Sequence, residues 1–159
     1  MEGYNMRISV HVTTKDRSTE LTVLLHTLRV QTYPHWDLYI QDDGSGTPMH
    51  TFKFIQDIIT RIKLQGHAVH YDRQENSYGV CQARQRMIDN DPFKENPLIL
   101  RLDDDCVLEP DYLARLVYAM QKTGAGWASG ITPMFGQPEA VVREVNSAFP
   151  EKTVVNAIG

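Results

Sequence analysis

Short apolar runs rich in β-branched and aromatic residues recur along the chain, with longer segments between them. Runs of this kind, bounded by turn residues, are typical of buried β-strands. The pattern predicts strands at residues 6–12, 36–41, 68–71 and 97–102, and a fifth at residues 127–131. Beyond residue 133 the pattern does not define an element.

The segments between these runs carry apolar residues at every third or fourth position, which is the spacing of an amphipathic helix. Helices are predicted at residues 18–31, around 54–62 with an end at Gly66, at 80–89, and at 110–121 with Pro110 in the first turn. Alternating strands and helices favour an α/β fold with a mainly parallel sheet flanked by helices. Ligands bind beyond the carboxyl ends of the strands in such sheets, and polar residues cluster at three predicted strand ends.

Length and composition indicate a soluble protein, and we expect a single domain over residues 1–159. The chain is 42% hydrophobic and 23% charged, which is ordinary for a globular domain. It has no apolar run of roughly 20 residues, so we expect no transmembrane segment. Cys81 and Cys106 suit neither a metal site nor a disulfide framework, and no signal peptide is recognisable, so we expect a cytoplasmic location. A net charge of −4 without a basic run argues against nucleic acid as a partner.

Asp103, Asp104 and Asp105 follow directly on the predicted strand at 97–102. In an extended chain the first and third of these side chains share one face. Two carboxylates about 5 Å apart repel by roughly 3 kcal/mol at an effective dielectric near 20. A cation, a raised pKa or escape into solvent must offset this repulsion. A hard divalent cation fits, and it would leave positions open for substrate phosphates.

The competing interpretation of these aspartates is a solvated strand end that caps the helix at Pro110. A cap needs only one short polar side chain, and Glu109 and Asp111 already lie beside that helix start. The metal interpretation is therefore favoured.

The second strand ends in Asp42, Asp43 and Gly44. An aspartate there could accept a hydrogen bond from the imino N–H of a uracil-like base, although a plain Asp-Gly turn is common in α/β proteins. Thr13 and Asp16 follow the first strand, where a nucleoside could lie. Asp16 or Ser18 could equally serve as a helix N-cap.

Arg84 lies on the third predicted helix, close to Gly79. Its planar guanidinium could hold two diphosphate oxygens, or it could form a surface ion pair with Asp89. No G-x-x-x-x-G-K-[ST] loop is present to cradle phosphates. A bound diphosphate would therefore need another source of positive charge, which a metal on the triplet would supply.

Four segments in this order resemble the family 2 glycosyltransferases, which have a GT-A fold, the Rossmann-like fold of nucleotide-diphospho-sugar transferases. They are residues 8–17, 28–45, 79–85 and 102–113. Two positions depart from the family pattern, since an asparagine is usual where Asp16 and Gln85 stand.

The resemblance implies that Thr13 and Asp43 help to hold uracil or another base, with Asp42 close by and Arg84 near the donor. The metal ligands it implies for Mn²⁺ or Mg²⁺ are Asp103 and Asp105. Together with the strand-end clusters, it gives the expected nucleotide-sugar-binding residues Thr13, Asp16, Asp42, Asp43, Gly79, Arg84, Asp103 and Asp104.

The activity implied is inverting transfer of a sugar from a nucleotide diphosphate, a UDP-sugar in the first instance, to a hydroxyl of a glycan, lipid or protein. The metal would act as a Lewis acid on the departing diphosphate. In the family, the carboxylate that acts as general base lies well after the aspartate motif. Nothing matches Glu139, Glu144 or Glu151 to that role, so we expect a donor-binding part that lacks the acceptor side.

Three other functions stay open at this stage. The first is a nucleotide-sugar-binding module without catalysis. A nucleotidyltransferase would want a Gly-rich basic loop after the first strand, and residues 13–17 contain no glycine. A Mg²⁺-dependent phosphoacceptor domain would want a lysine after the fifth strand, where the chain has Thr132 and Pro133.

Overall fold

The structure is a computed structural model that describes residues 6–128 and residue 130. Strands and helices alternate along these residues, as the sequence predicts. The strands are β1 (Ile8–Thr14), β2 (Trp36–Asp42), β3 (Val69–Arg73) and β4 (Leu98–Asp103). The helices are α1 (Ser18–Arg29), α2 (Lys53–Leu64), α3 (Val80–Asp89) and α4 (Tyr112–Thr123), and a 3₁₀ helix, Met49–Thr51, precedes α2.

The four strands form one parallel sheet in the order β3-β2-β1-β4, which confirms the predicted α/β fold class. Thr14 of β1 pairs with Asp42 of β2, and Thr13 pairs with Asp103 of β4. The carboxyl ends of these three strands therefore lie level at one edge of the sheet. The chain runs from β1 outward to β3 and then crosses back to β4 on the other side of β1, so the strand order reverses between β1 and β4.

One face of the sheet carries the main hydrophobic core. Alternate strand residues such as Val10, Val12, Leu38 and Ile40 are fully buried there, against apolar residues of α1, α2 and α4. Burying each such side chain stabilises the fold by about 1.5–3 kcal/mol. This face fixes β1 and β2 in the centre of the sheet.

On the opposite face α3 packs over β1 and β2, with Ala83 and Met87 buried. A buried polar cluster fastens the loop after this helix. Asp91 accepts a 2.8 Å hydrogen bond from the hydroxyl of Ser9, and the same carboxylate oxygen lies 2.8 Å from Nε2 of His11. Both partners belong to β1, so the cluster anchors the C-terminal end of α3 to the central strand.

The predicted fifth strand falls partly outside the described residues. Trp127 and Ala128 are not in a strand, Gly130 is a bridge residue, and residues 129 and 131 are not described. Within the described part of the chain, no helix is both long and apolar enough to cross a bilayer.

Candidate functional site

A cavity of about 430 Å³ opens beyond the carboxyl ends of β1 and β4. Its volume falls in the range of small-molecule pockets, roughly 300–1,000 Å³. It also lies where the strand order reverses, which is the place where open α/β sheets bind ligands. Its walls come from four separate segments of the chain. They contribute Thr13, Thr14, Lys15, Arg17, Asp43, Ser77, Gly79, Val80, Ala83, Asp103, Asp104 and Asp105.

The three consecutive aspartates reach the cavity in different ways. Asp104 is 5% exposed, and its Oδ2 accepts a 2.8 Å hydrogen bond from the hydroxyl of Thr14. The side chains of Asp103 and Asp105 are 61% and 53% exposed. An extended chain would turn Asp104 away from the face shared by Asp103 and Asp105, whereas all three residues line the cavity. The backbone turns directly after Asp103, where β4 ends.

Two arginines offset the repulsion among these carboxylates. Nη1 of Arg17 lies 3.0 Å from an oxygen of Asp104 and 3.0 Å from an oxygen of Asp105. The hydrogen bonds that Arg17 donates to Asp104 and, second, to Asp105 raise the pKa of Arg17 above its ordinary value. Nη2 of Arg84 donates a 2.5 Å hydrogen bond to Asp103. The alternative partner considered for Arg84, Asp89, instead accepts a hydrogen bond from a glutamine one turn away.

The donor set suits a hard divalent cation that is shared with a phosphorylated ligand. Among the residues that the structure describes, no three His, Cys, Asp or Glu side chains converge as a complete metal cage. Mg²⁺, however, is usually held by one or two carboxylates together with substrate phosphates. Asp103 and Asp105 present accessible carboxylates to one cavity. These two residues could therefore hold a cation of that kind.

Asp43 holds the wall of the cavity formed by residues 77–79. Asp43 is 6% exposed, and its carboxylate accepts hydrogen bonds from the hydroxyl of Ser77 at 2.7 Å and from the backbone N–H groups of Tyr78 and Gly79 at 3.1 Å. A fourth bond comes from Gln74 at 3.2 Å. Asp43 therefore lines the cavity while its oxygens are engaged by this loop.

The neighbouring Gly44 brings the end of β2 against the same loop. A Cβ atom at this position would lie 2.7 Å from the backbone nitrogen of Ser77 and 2.8 Å from the carbonyl carbon of Asn76. Its φ of +76° is also rare for residues with a side chain. Glycine is therefore required for the close approach that places the loop over the sheet edge.

Asp42 lies behind the cavity wall and does not line the cavity. Its fully buried carboxylate accepts hydrogen bonds from the backbone N–H of Ser45 at 2.8 Å, that of Met49 at 3.1 Å and the hydroxyl of Tyr71 at 2.5 Å. Burial raises the pKa of Asp42, but these hydrogen bonds outweigh it and the net pKa is lowered. The contacts organise the turn after β2.

Asp16 also lies outside the cavity lining, although it shapes the loop after β1. It has a φ of +55°, a left-handed conformation that aspartate and asparagine adopt more readily than most residues. Its N–H donates to the hydroxyl of Ser45, and its Oδ1 accepts from the N–H of Gly46 at 2.7 Å. Neither Asp16 nor Ser18 caps α1, because Arg17 occupies the N-cap position without a side-chain cap bond.

The cavity contains residues that the sequence does not single out. Arg17 could have been suspected, because it follows the first strand in the same polar segment as Thr13. Ser77 carries no such signal, since it lies in a loop whose position depends on Asp43 and Gly44.

The model of the family described as glycosyl transferase family 2 matches residues 9–154. The chain belongs to glycosyl transferase family 2. This match confirms the resemblance carried by the strand-end residues. No curated protein sequence matches the chain.

Several solved structures share its fold. S. aureus TarS 1-349 in complex with UDP superimposes with a TM-score of 0.62 at 18% identity, over 84% of this chain and 38% of that one. The mannosyltransferase PcManGT from Pyrobaculum calidifontis, in complex with GDP-Man and Mn²⁺, gives 0.60 at 16% identity, over 80% of this chain and 36% of that one. These likenesses confirm the GT-A fold. The chain spans less than two fifths of the length of either structure.

Proposed function

We propose that this chain is the donor-binding part of a metal-dependent, inverting glycosyltransferase that takes a UDP-sugar. The observation that carries the proposal is the composition of the cavity beyond β1 and β4. It presents the exposed carboxylates of Asp103 and Asp105 beside the guanidinium group of Arg17, and Arg84, which lies outside the cavity lining, contacts Asp103 from α3. A site with both signs of charge suits a ligand that combines a diphosphate with a cation.

The two halves of such a ligand have separate partners. Asp103 and Asp105 would hold Mn²⁺ or Mg²⁺, and Arg84 would reach the diphosphate from α3. Lys15 also lines the cavity and adds positive charge. When bound, the cation would supply Lewis-acid stabilisation of the departing diphosphate. Thr13 and the loop held by Asp43 would border the nucleoside.

The nucleobase of the donor, uracil, is proposed from the family resemblance and is tested against guanine. TarS was solved in complex with UDP and with UDP-GlcNAc, and the mannosyltransferase with GDP-Man. A uracil and a guanine donor are therefore the two cases to compare. The acceptor would be a hydroxyl of a glycan, a lipid or a protein.

Isothermal titration calorimetry with UDP, UDP-GlcNAc and GDP-Man tests the proposal, each in Mn²⁺, in Mg²⁺ and in EDTA. We expect binding of a UDP compound that depends on the divalent cation. Binding that is equal in Mn²⁺ and EDTA would refute metal dependence, and no binding across the panel would refute donor recognition. Release of pyrophosphate from UTP is measured separately as the test for nucleotidyltransferase activity.

Nucleotide-sugar binding without catalysis is the second candidate. It is favoured by one observation, that the acids lining the cavity all belong to the strand ends that would hold the donor. A hydrolysis assay that follows release of UDP from UDP-GlcNAc separates the two. Release above the rate of the Asp103→Asn variant supports an enzyme, whereas metal-dependent binding without release supports the binding module.

A further inference from the structure

One nitrogen of Arg17 bridges the two carboxylates that follow Asp103. Its Nη1 lies 3.0 Å from both Asp104 and Asp105. Asp104 is buried and takes its second hydrogen bond from Thr14, while Asp105 is 53% exposed and faces the cavity. Arg17 therefore neutralises a carboxylate that the proposed function assigns to a cation.

The backbone holds Arg17 in this place. The left-handed conformation of Asp16, fixed by its bonds to Ser45 and Gly46, turns the chain between β1 and α1. Arg17 follows at the N-cap position of α1 and reaches the acids after β4, of which Asp105 lies 88 positions away in sequence. Its side chain is nonetheless 48% exposed, so it is free to exchange partners.

We propose that Arg17 is an exchangeable counter-ion, which neutralises Asp104 and Asp105 in the empty site and turns to the diphosphate when donor and cation bind together. This inference rests on the proposed function and adds regulation of the same site. A guanidinium prefers bidentate contact with phosphate oxygens, which gives Arg17 a new partner once Asp105 is engaged by the cation. Arg17 would thus oppose binding of the cation alone and favour binding of the nucleotide in its presence.

The variant Arg17→Met removes the charge and keeps much of the side-chain length. Binding of Mn²⁺ without nucleotide is followed by electron paramagnetic resonance, and binding of UDP at saturating Mn²⁺ by calorimetry. We expect the variant to bind Mn²⁺ alone about tenfold more tightly and UDP about tenfold more weakly, within the usual range of coupling between two ligands. These opposite signs distinguish the role from distortion of the site, which would weaken both.

Arg115→Met is the matched control. Arg115 also contacts two acids, Asp111 at 2.7 Å and Glu109 at 3.6 Å, and it is 44% exposed, but it lies on α4 and does not line the cavity. We expect wild-type affinities from this control. Arg17→Lys keeps the charge and should recover part of the UDP affinity, which separates loss of charge from loss of fold.

The outcomes of these measurements distinguish failure of the exchange role of Arg17 from failure of the proposed function. If wild type shows Mn²⁺-dependent UDP binding and Arg17→Met weakens both affinities, or changes neither, the exchange role is overturned while the proposed function stands. If wild type binds neither Mn²⁺ nor UDP, the proposed function fails, and the inference fails with it.

Discussion

The hydroxyl of Thr14 donates a 2.8 Å hydrogen bond to Oδ2 of Asp104, although the two residues lie 90 positions apart in the chain. Thr14 ends β1, and Asp104 follows β4, the neighbouring parallel strand. Both side chains are almost fully buried. The bond therefore joins the two strand ends that form the floor of the cavity and fixes the middle acid of the triplet.

Replacement of Thr14 by valine keeps the side-chain shape and removes this donor. We expect the free energy of unfolding to fall by about 1–3 kcal/mol, because a buried charged acceptor loses a hydrogen bond. Urea denaturation measures it. Thr60→Val is the control, since its hydroxyl bonds to a backbone carbonyl on the exposed side of α2, and we expect it to change stability by no more than about 0.5 kcal/mol. Equal effects of the two variants would contradict the prediction.

Replacement of Asp103 or Asp105 by asparagine should weaken metal-dependent binding of UDP by roughly 10- to 100-fold, because a neutral amide is a poor ligand for a hard cation. Calorimetry in Mn²⁺ and in EDTA measures the effect, and the variants should differ from wild type only in Mn²⁺. Asp57→Asn is the control, an exposed aspartate on α2 that pairs with Lys53. A double variant with wild-type affinity in Mn²⁺ would rule out these carboxylates as ligands.

Replacement of Gly44 by alanine should disturb the loop at residues 76–79. The new Cβ would meet the backbone of Asn76 and Ser77, and we expect a loss of stability of about 1–3 kcal/mol from this overlap beyond the cost of the positive φ. Gly66→Ala isolates the cost of φ, because Gly66 has a φ of +95° and no described atom lies within 4 Å of its Cβ position. Denaturation of both variants gives the difference. If Gly66→Ala lowers the free energy of unfolding as much as Gly44→Ala does, the close approach of Gly44 to the loop does not contribute to the loss.

The carboxylate of Asp37 should make stability depend on pH. It accepts two hydrogen bonds from Arg7, at 2.5 and 2.7 Å, one from the N–H of Ala68 and one from Asn96. Burial raises the pKa of Asp37, yet these bonds outweigh it and lower the pKa below its ordinary value. Because the pKa is lower in the folded state, the stabilisation is complete above the unfolded pKa of about 3.9 and is lost as the pH falls through the folded value.

The variant Asp37→Asn should therefore be less stable than wild type at pH 6 and should lose less stability on acidification. Urea denaturation at a series of pH values from neutral to strongly acidic measures both. A variant whose stability falls as steeply as that of wild type would contradict this assignment.

The fold could be predicted from sequence where hydrophobic spacing decides the structure. The leucines of α1 and the alternating residues of β1 and β2 place those elements within two residues of their observed bounds. The end of β3 was missed, because Asp72 and Arg73 are polar and join the strand by backbone pairing with β2. The 3₁₀ helix at Met49 was also missed, since it depends on the bond from its N–H to buried Asp42.

The site could be predicted in its location but not in its contacts. Parallel strands bring their carboxyl ends together, so Thr13, Asp43 and Asp103 were expected at one edge, and the cavity lies there. The pairing of Arg17 with the acids depends on the positive φ of Asp16, which no hydrophobic pattern reports. Asp42 and Asp43 are adjacent in sequence, yet only Asp43 lines the cavity, because the carboxylate of Asp42 is bound by the backbone of the turn after β2.

The crossing of the chain from β3 back to β4 has a consequence for how the site is completed during folding. Asp103 and Asp105, which would bind the cation, lie at and just after the end of β4, the last of the described strands in sequence. The loops that would border the nucleoside follow β1, β2 and β3. A polypeptide that stops before residue 98 would lack Asp103, Asp104 and Asp105, three of the four described acids that line the cavity. Binding of a nucleotide would then require that β4 has joined the sheet. A saturating ligand would protect β4 against local opening by mass action.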